Sequence, residues 1–288
     1  MGENHKYWHH VMLTMLAPAI WGSTYIVTSE FLPSDRPFTA ALIRTLPAGI
    51  ILLIFKWKLP TKSHWWKLII LSALNIGLFQ SLLFISAYRL PGGLAAVLGT
   101  IQPIIIMMLI WAADGYKPKF LTLFSCICGF IGMGMLFLSP NILFDVFGII
   151  AALLGATCMA TGVWLTGRWK IDLPLLPMTG WQLLCGGLML VPMALIIDDP
   201  LPSLTFTQLS AYTYLSIVGA LFAYIIWFRG IALLPSVAVA SLGLLSPITA
   251  IALGWIFLNQ TISGTALIGF IAVLISVLTV QLTIVNKK

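Results

Sequence analysis

An arginine within apolar sequence is the residue of this chain that most needs a chemical reason. Arg44 lies inside the run that opens at Phe38, about 9 Å deep if that run is a helix rising about 1.5 Å per residue. A cation at that depth in lipid is costly unless it meets water or a partner. Arg44 could anchor a substrate carboxylate or form an outer gate, or it could snorkel outward to pair with Glu30. Trp21 sits mid-way along its own apolar run, away from the interfaces where tryptophan collects, and could wall a cavity or simply pack. Ser23 beside it can bond a ligand or its own helix. Gln80, Gln102, Gln182 and Ser246 are further polar groups at membrane depth. Each could hydrogen-bond a bound metabolite, or act as interhelical glue worth about 0.6 kcal/mol. Glu30 and Asp114 are the acidic residues that could carry a coupled proton. Tyr88, Tyr224 and Trp227 fall nearer the ends of their runs, where interfacial anchoring is expected.

These residues do not compose a hydrolase. There is no His-Glu-x-x-His, no paired carboxylates and no histidine at depth, since His5, His9, His10 and His64 all flank apolar runs. The spacing of the N-terminal histidines is poor for a metal and no carboxylate array supports one. Cys126, Cys128, Cys158 and Cys185 fall within apolar runs and read as small hydrophobes. No cofactor is expected. A channel would show a polar-lined pore helix, and none is evident.

The elements that position these residues follow from composition. With 60% hydrophobic and only 8% charged residues, the chain has too little polar surface to cover a water-soluble particle. Apolar runs near 11–31, 37–55, 67–89, 93–113, 118–138, 146–167, 174–197, 208–228, 233–258 and 263–284 predict ten transmembrane helices. Short breaks separate them, among them Pro33-Ser34-Asp35, Pro91-Gly92-Gly93, Pro140-Asn141 and Asn259-Gln260. The net charge of +7 reflects basic residues between spans, not a nucleic-acid partner. With a cytoplasmic N-terminus, Lys6, Lys56, Lys58, Lys62, Lys67, Lys117, Lys119, Arg168, Lys170, Arg229, Lys287 and Lys288 all fall inside. Arg36 and Arg89 alone fall outside, so both termini are expected in the cytoplasm of a bacterial inner-membrane protein.

An offset of 144 positions aligns the fourth run with the ninth. It pairs Pro91 with Pro235, Ala96 with Ala240, Gly99 with Gly243, Pro103 with Pro247 and Trp111 with Trp255. The chain thus reads as two five-helix repeats, residues 1–142 and 143–288. Because five is odd, the halves are expected in opposite orientations around a central cavity. Two inverted copies of one packing give inward- and outward-open states of similar energy. Pro103 and Pro247 would kink spans four and nine and act as hinges.

Trp21-Gly22-Ser23-Thr24-Tyr25, then Phe38-Thr39-Ala40-Ala41-Leu42-Ile43-Arg44, then the repeated Pro-(eleven residues)-Pro spans resemble the drug/metabolite transporter superfamily in its EamA-type, ten-helix branch. The likeness covers the whole chain, and the first fifty residues look closest to pigment- and metabolite-efflux members. It implies an inverted-repeat bundle with helices one to four and six to nine around the cavity. It also implies export of amino acids, related metabolites or drug-like compounds, often with protons. Two departures stand out: Asp114-Gly115 and Asn259-Gln260 replace Gly-Glu, and Met159 occupies the place of Trp21 in the second half. The expected partners are a small-molecule substrate and membrane lipid. A monomer suffices for alternating access, and a homodimer is compatible with it.

Overall fold

The computed structural model describes residues 2–90, 98–137, 145–257 and 264–285, and every regular element among them is a helix. Helices satisfy their backbone internally, as apolar segments in lipid must. In chain order they are α1 (Gly2–Phe31), α2 (Pro37–Phe55), α3 (Lys62–Arg89), α4 (Gln102–Asp114) and α5 (Phe120–Phe137). They continue as α6 (Val146–Trp169), α7 (Leu175–Ile196), α8 (Phe206–Leu233), α9 (Ser236–Phe257) and α10 (Thr265–Val285). Seven of them, α1–α3 and α6–α9, are long and apolar enough to cross a membrane. The apolar helical stretches Gln102–Asp114, Phe120–Gly132 and Leu267–Thr283 are shorter. Pro91-Gly92-Gly93, Ala96, Pro140-Asn141, Asn259-Gln260, Lys287 and Lys288 lie outside the described residues.

Local chemistry sets the helix ends. Pro37 occupies the first turn of α2, where a missing N–H costs nothing. Thr205 and Gln208 form a reciprocal capping box at the start of α8. Asp145 caps α6 by accepting from Gly148 N at 2.8 Å, and Gly115, at φ 73°, closes α4.

Two features depart from the continuous helices that hydropathy predicts. α3 and α8 each contain a π-helical segment, Ala73–Gly77 and Ile217–Phe222, whose first residues stand 144 positions apart. α9 breaks after Leu242, and Leu245 restarts it. A matching break at Thr100-Ile101 precedes α4. Pro103 and Pro247 therefore sit in the first turn of a restarted segment, not mid-helix. There a proline removes no helical hydrogen bond.

Packing joins the first five helices to the last five: α2 lies along α7, α5 along α10, α3 along α6, and α1 against α8 and α9. The α2–α7 contact is reciprocal. A Cβ on Gly49 would stand 2.5 Å from Leu184 N, and one on Gly187 would stand 3.0 Å from Leu46 Cα. These backbones approach because neither glycine has a side chain. Both pairs, Leu46/Leu184 and Gly49/Gly187, are 138 positions apart. In α5–α10, Gly129 meets Ser276 while Gly132 meets Val273, again a reciprocal pattern, at an offset of 144.

Buried polar groups tie the core. Tyr7 donates to Gln281 Oε1 at 2.7 Å, and Gln281 Nε2 donates to Ala238 O and Ser241 Oγ. Exposed Ile54, Phe55, Phe120, Phe147, Ile196 and Phe206 give the bundle an apolar outer surface suited to lipid.

Candidate functional site

A cavity lies between the two halves, counted with its mouth at about 990 Å³. Its α1 and α3 walls, Trp21 to Thr28 and Phe79 to Ala87, come from the C-terminal parts of those helices; Arg44 of α2, the Gly99-Thr100 segment before α4, and α4, α6, α8 and α9 supply the rest. The cavity thus lies toward the end of the bundle that carries the Arg89–Asp145 ion pair, 3.1 Å apart. Of the candidate site residues above, Trp21, Arg44, Gln80, Gln102, Ser246 and Pro247 line it, as do Tyr224 and Trp227.

Arg44 is 1% exposed. It does not reach Glu30. Its Nη2 donates to the carbonyl of Gly219 at 3.1 Å, and its Nε and Nη1 have no partner among the described residues. Among the described residues it makes no ion pair. Tyr224, Tyr25 and Tyr214 lie within electrostatic reach of the guanidinium. The Gly219 carbonyl belongs to the π segment of α8, and it also accepts from Trp21 Nε1 at 2.9 Å. One backbone oxygen therefore fixes both the tryptophan wall and the buried cation. π segments recur at functional sites because they re-aim backbone and side chains within a helix.

An aromatic wall stands beside this pair. Trp21 packs at 5.1 Å from Tyr224 and 5.0 Å from Trp227, both tilted, and Tyr224 stacks on Phe228 at 5.7 Å. Gln80 bonds the Tyr224 hydroxyl. Whichever way that amide is turned, one end of it stays free. Trp227 Nε1, Thr24 Oγ1 and Thr28 Oγ1 are likewise buried without partners among the described residues. The cavity thus combines a mostly apolar lining with a few unspent polar atoms, the usual make-up of a small-molecule site.

Other expected residues fall elsewhere. Ser23 bonds Ile20 O and the Tyr214 hydroxyl, both at 2.7 Å. Gln182 is fully buried and accepts from Asn75 Nδ2 at 2.8 Å, and Asn75 also donates to Thr166 at 3.2 Å. Pro103 is buried but is not among the lining residues. Glu30 is exposed near the end of α1, where it accepts from Ser29. Asp114 pairs with Arg168. Among the described residues no three His, Cys, Asp or Glu side chains group to hold a metal.

Tyr224 and Trp227 depart from the interfacial placement predicted for them: both are buried in the cavity wall. α8 runs on to Leu233, which carries them away from its end. A signal for Tyr224 was present, because it stands 144 positions after Gln80, its own hydrogen-bond partner. Asn75, at the π segment of α3, is a second residue that hydropathy alone passed over.

A helical bundle with lipid-facing spans and a pocket between its halves defines a multi-pass membrane protein of the transporter class. The chain belongs to the EamA-like transporter family, whose profile matches it twice, over residues 9–138 and 146–282. It is 42% identical over 268 residues to protein PecM of Dickeya dadantii (strain 3937), covering 92% of this chain and 90% of that one. It is 28% identical over 254 residues to the uncharacterized inner membrane transporter YedA of Escherichia coli (strain K12), covering 85% and 81%. A crystal structure with 14% identity superposes with a TM-score of 0.79 over 97% of this chain and 99% of the other, a likeness of fold.

Proposed function

We propose that this chain is an inner-membrane exporter of small metabolites such as amino acids, related compounds or drug-like molecules. It works by alternating access between two inverted five-helix repeats, residues 1–142 and 143–288, with ten spans in all. The observation that carries the reading is the buried cation, unpaired among the described residues, at the wall of a cavity between the halves, since soluble-domain logic gives no reason to keep one there. The reciprocal α2–α7 and α5–α10 contacts, the paired π segments and the two family matches support the repeat. Reciprocal contacts at a fixed offset are what a two-fold relation between halves produces.

Orientation rests on the charge distribution. The tryptophans Trp57, Trp65, Trp66, Trp169 and Trp181 gather in edge and tilted pairs beside Lys56, Lys58, Lys62, Arg168 and Lys170. That is an interfacial belt on the basic face, which the positive-inside rule assigns to the cytoplasm along with both termini. The cavity then faces outward, and the Asn75–Gln182–Thr166 knot lies on the closed, cytoplasmic side. Trp21, Arg44, Gln80, Gln102 and Ser246 hold substrate. Pro103 and Pro247 mark where the two broken helices flex. Ser23 and Gln182 reach substrate only in another conformer.

A passive facilitator of the same fold is favoured by one observation. The described cavity wall contains no Asp or Glu, while Glu30 is exposed and Asp114 is ion-paired. Counterflow in proteoliposomes tests the transporter reading, with a panel of amino acids, aromatic metabolites and cationic drugs. Saturable exchange of any panel member is expected. No movement of any member by folded protein would overturn it.

A further inference from the structure

The substrate's chemical class can be read from what the cavity leaves unspent. Arginine carries five N–H donors. Arg44 uses Nη2 on Gly219 O, and its Nε and Nη1 reach no acceptor among the described residues although the residue is buried. A planar guanidinium with free N–H groups matches a carboxylate in a two-point contact. No carboxylate of the protein is there: among the described residues neither Asp nor Glu lines the cavity. One cation with no counter-charge calls for a ligand with one negative charge. A dianion would bring a second charge with nothing to meet it. The ammonium of a zwitterionic amino acid would find no acid in the described wall and would lie near a like charge.

The rest of the wall specifies the ligand's body. Trp21, Tyr224 and Trp227 offer rings to one side, and the free end of the Gln80 amide offers one hydrogen bond to a substituent. The titratable groups in reach of Arg44 are the phenols of Tyr25, Tyr214 and Tyr224.

Resting on the transporter reading above, we infer that the cavity takes a planar aromatic monoanion without an amine, bound to Arg44, and moves it as a charged species without a proton. An inside-negative membrane potential then drives such an anion outward with no second ion. This accounts for Glu30 and Asp114 both standing away from the cavity.

The test uses the purified full chain in proteoliposomes, with labelled para-hydroxybenzoate as the counterflow probe. Para-hydroxybenzamide and tyrosine serve as competitors, and quenching of tryptophan fluorescence reports binding separately. The acid is expected to compete about tenfold to a hundredfold better than the amide, the worth of a hydrogen bond to a charged group. Its flux should follow an imposed potassium-diffusion potential at equal pH and ignore a pH gradient at zero potential. Arg44→Gln should erase the preference for acid over amide while the variant still binds the amide, a selective change that misfolding does not produce. Should that variant fail to fold, the acid–amide ratio and the potential dependence of the unmodified chain decide alone. Equal competition by the amide or tyrosine, or flux that follows pH and not potential, overturns the monoanion proposal and leaves transport standing. No counterflow and no fluorescence response with any compound overturns both.

Discussion

The close approach of α2 and α7 makes a quantitative prediction for Gly49→Ala. The added Cβ would stand 2.5 Å from Leu184 N and 2.9 Å from Leu183 C and Leu184 Cα, where ordinary contact begins near 3.4 Å. All three atoms are main chain, so no rotamer change relieves the overlap. The helices must part by about 1 Å, and a gap of that size forfeits roughly a quarter to a half of the dispersion well along the facing side chains. Overpacking of this kind costs about 1–3 kcal/mol. Chains of about 150–250 residues shift by about 2–4 °C per kcal/mol and this longer one of 288 residues by no more, so the melting midpoint should fall by up to about 12 °C. Gly134→Ala is the control: its Cβ would meet nothing within 4 Å, and alanine is favoured over glycine in a helix by about 1 kcal/mol. Thermal unfolding of the detergent-purified protein, followed by circular dichroism, measures both. Adding Leu184→Ala to Gly49→Ala should not restore stability, because the clash is with backbone. A Gly49→Ala protein that melts no lower than the unmodified chain, or one rescued by Leu184→Ala, would refute the argument.

Other outcomes follow from the same geometry. Tyr224→Phe removes the hydroxyl that Gln80 bonds, leaving a buried amide group unpaired at about 1–3 kcal/mol; urea-dependent unfolding should register it, and substrate affinity should fall as the wall loosens. Glu30→Gln and Asp114→Asn should both retain counterflow, since neither carboxylate lines the cavity; loss of flux in either folded variant would restore that residue as a coupling group. The Gly148 N–H, and then Arg89, hold the Asp145 carboxyl below its ordinary value. That stabilisation is present above the unfolded carboxylate value, near pH 4, and is lost as pH falls through the lower folded value. The melting midpoint of Asp145→Asn should therefore drop less between pH 5 and pH 3 than that of the unmodified chain.

Hydropathy made seven spans legible because those helices are long, apolar and bounded by charge or turn residues. Chemical rarity made Arg44 and Trp21 legible, since a cation or an indole at mid-span must be explained wherever it points. Direction was not legible. A helix that is apolar all round shows no stripe from which to read its inward face, so Ser23 and Gln182 looked equivalent to Gln80 and Ser246, yet only the latter two reach the cavity. The π segments were hidden as well. Nothing in Ala73–Gly77 or Ile217–Phe222 marks an extra residue in the turn, though these segments decide what Asn75 and the Gly219 carbonyl can reach. The prolines were legible as repeated features but not as restart points, because the breaks before them use residues, Thr100 and Gly243 among them, that helices also tolerate.

The wide turn in α8 has a genetic consequence. Gly219 presents a main-chain oxygen to Trp21 and Arg44, so an exchange of side chain at that codon leaves the acceptor in place. A frame-preserving deletion of one codon between 217 and 222 would act differently. It would let the segment close into an ordinary α-turn, and because the wide turn already absorbs one extra residue, the helix beyond it would keep nearly its present phase. Tyr224 and Trp227 would stay on the cavity wall, but the Gly219 carbonyl would return to the helix ladder and leave Trp21 and Arg44 without their shared acceptor. Variation in this part of the gene should therefore tolerate substitutions far better than changes in length.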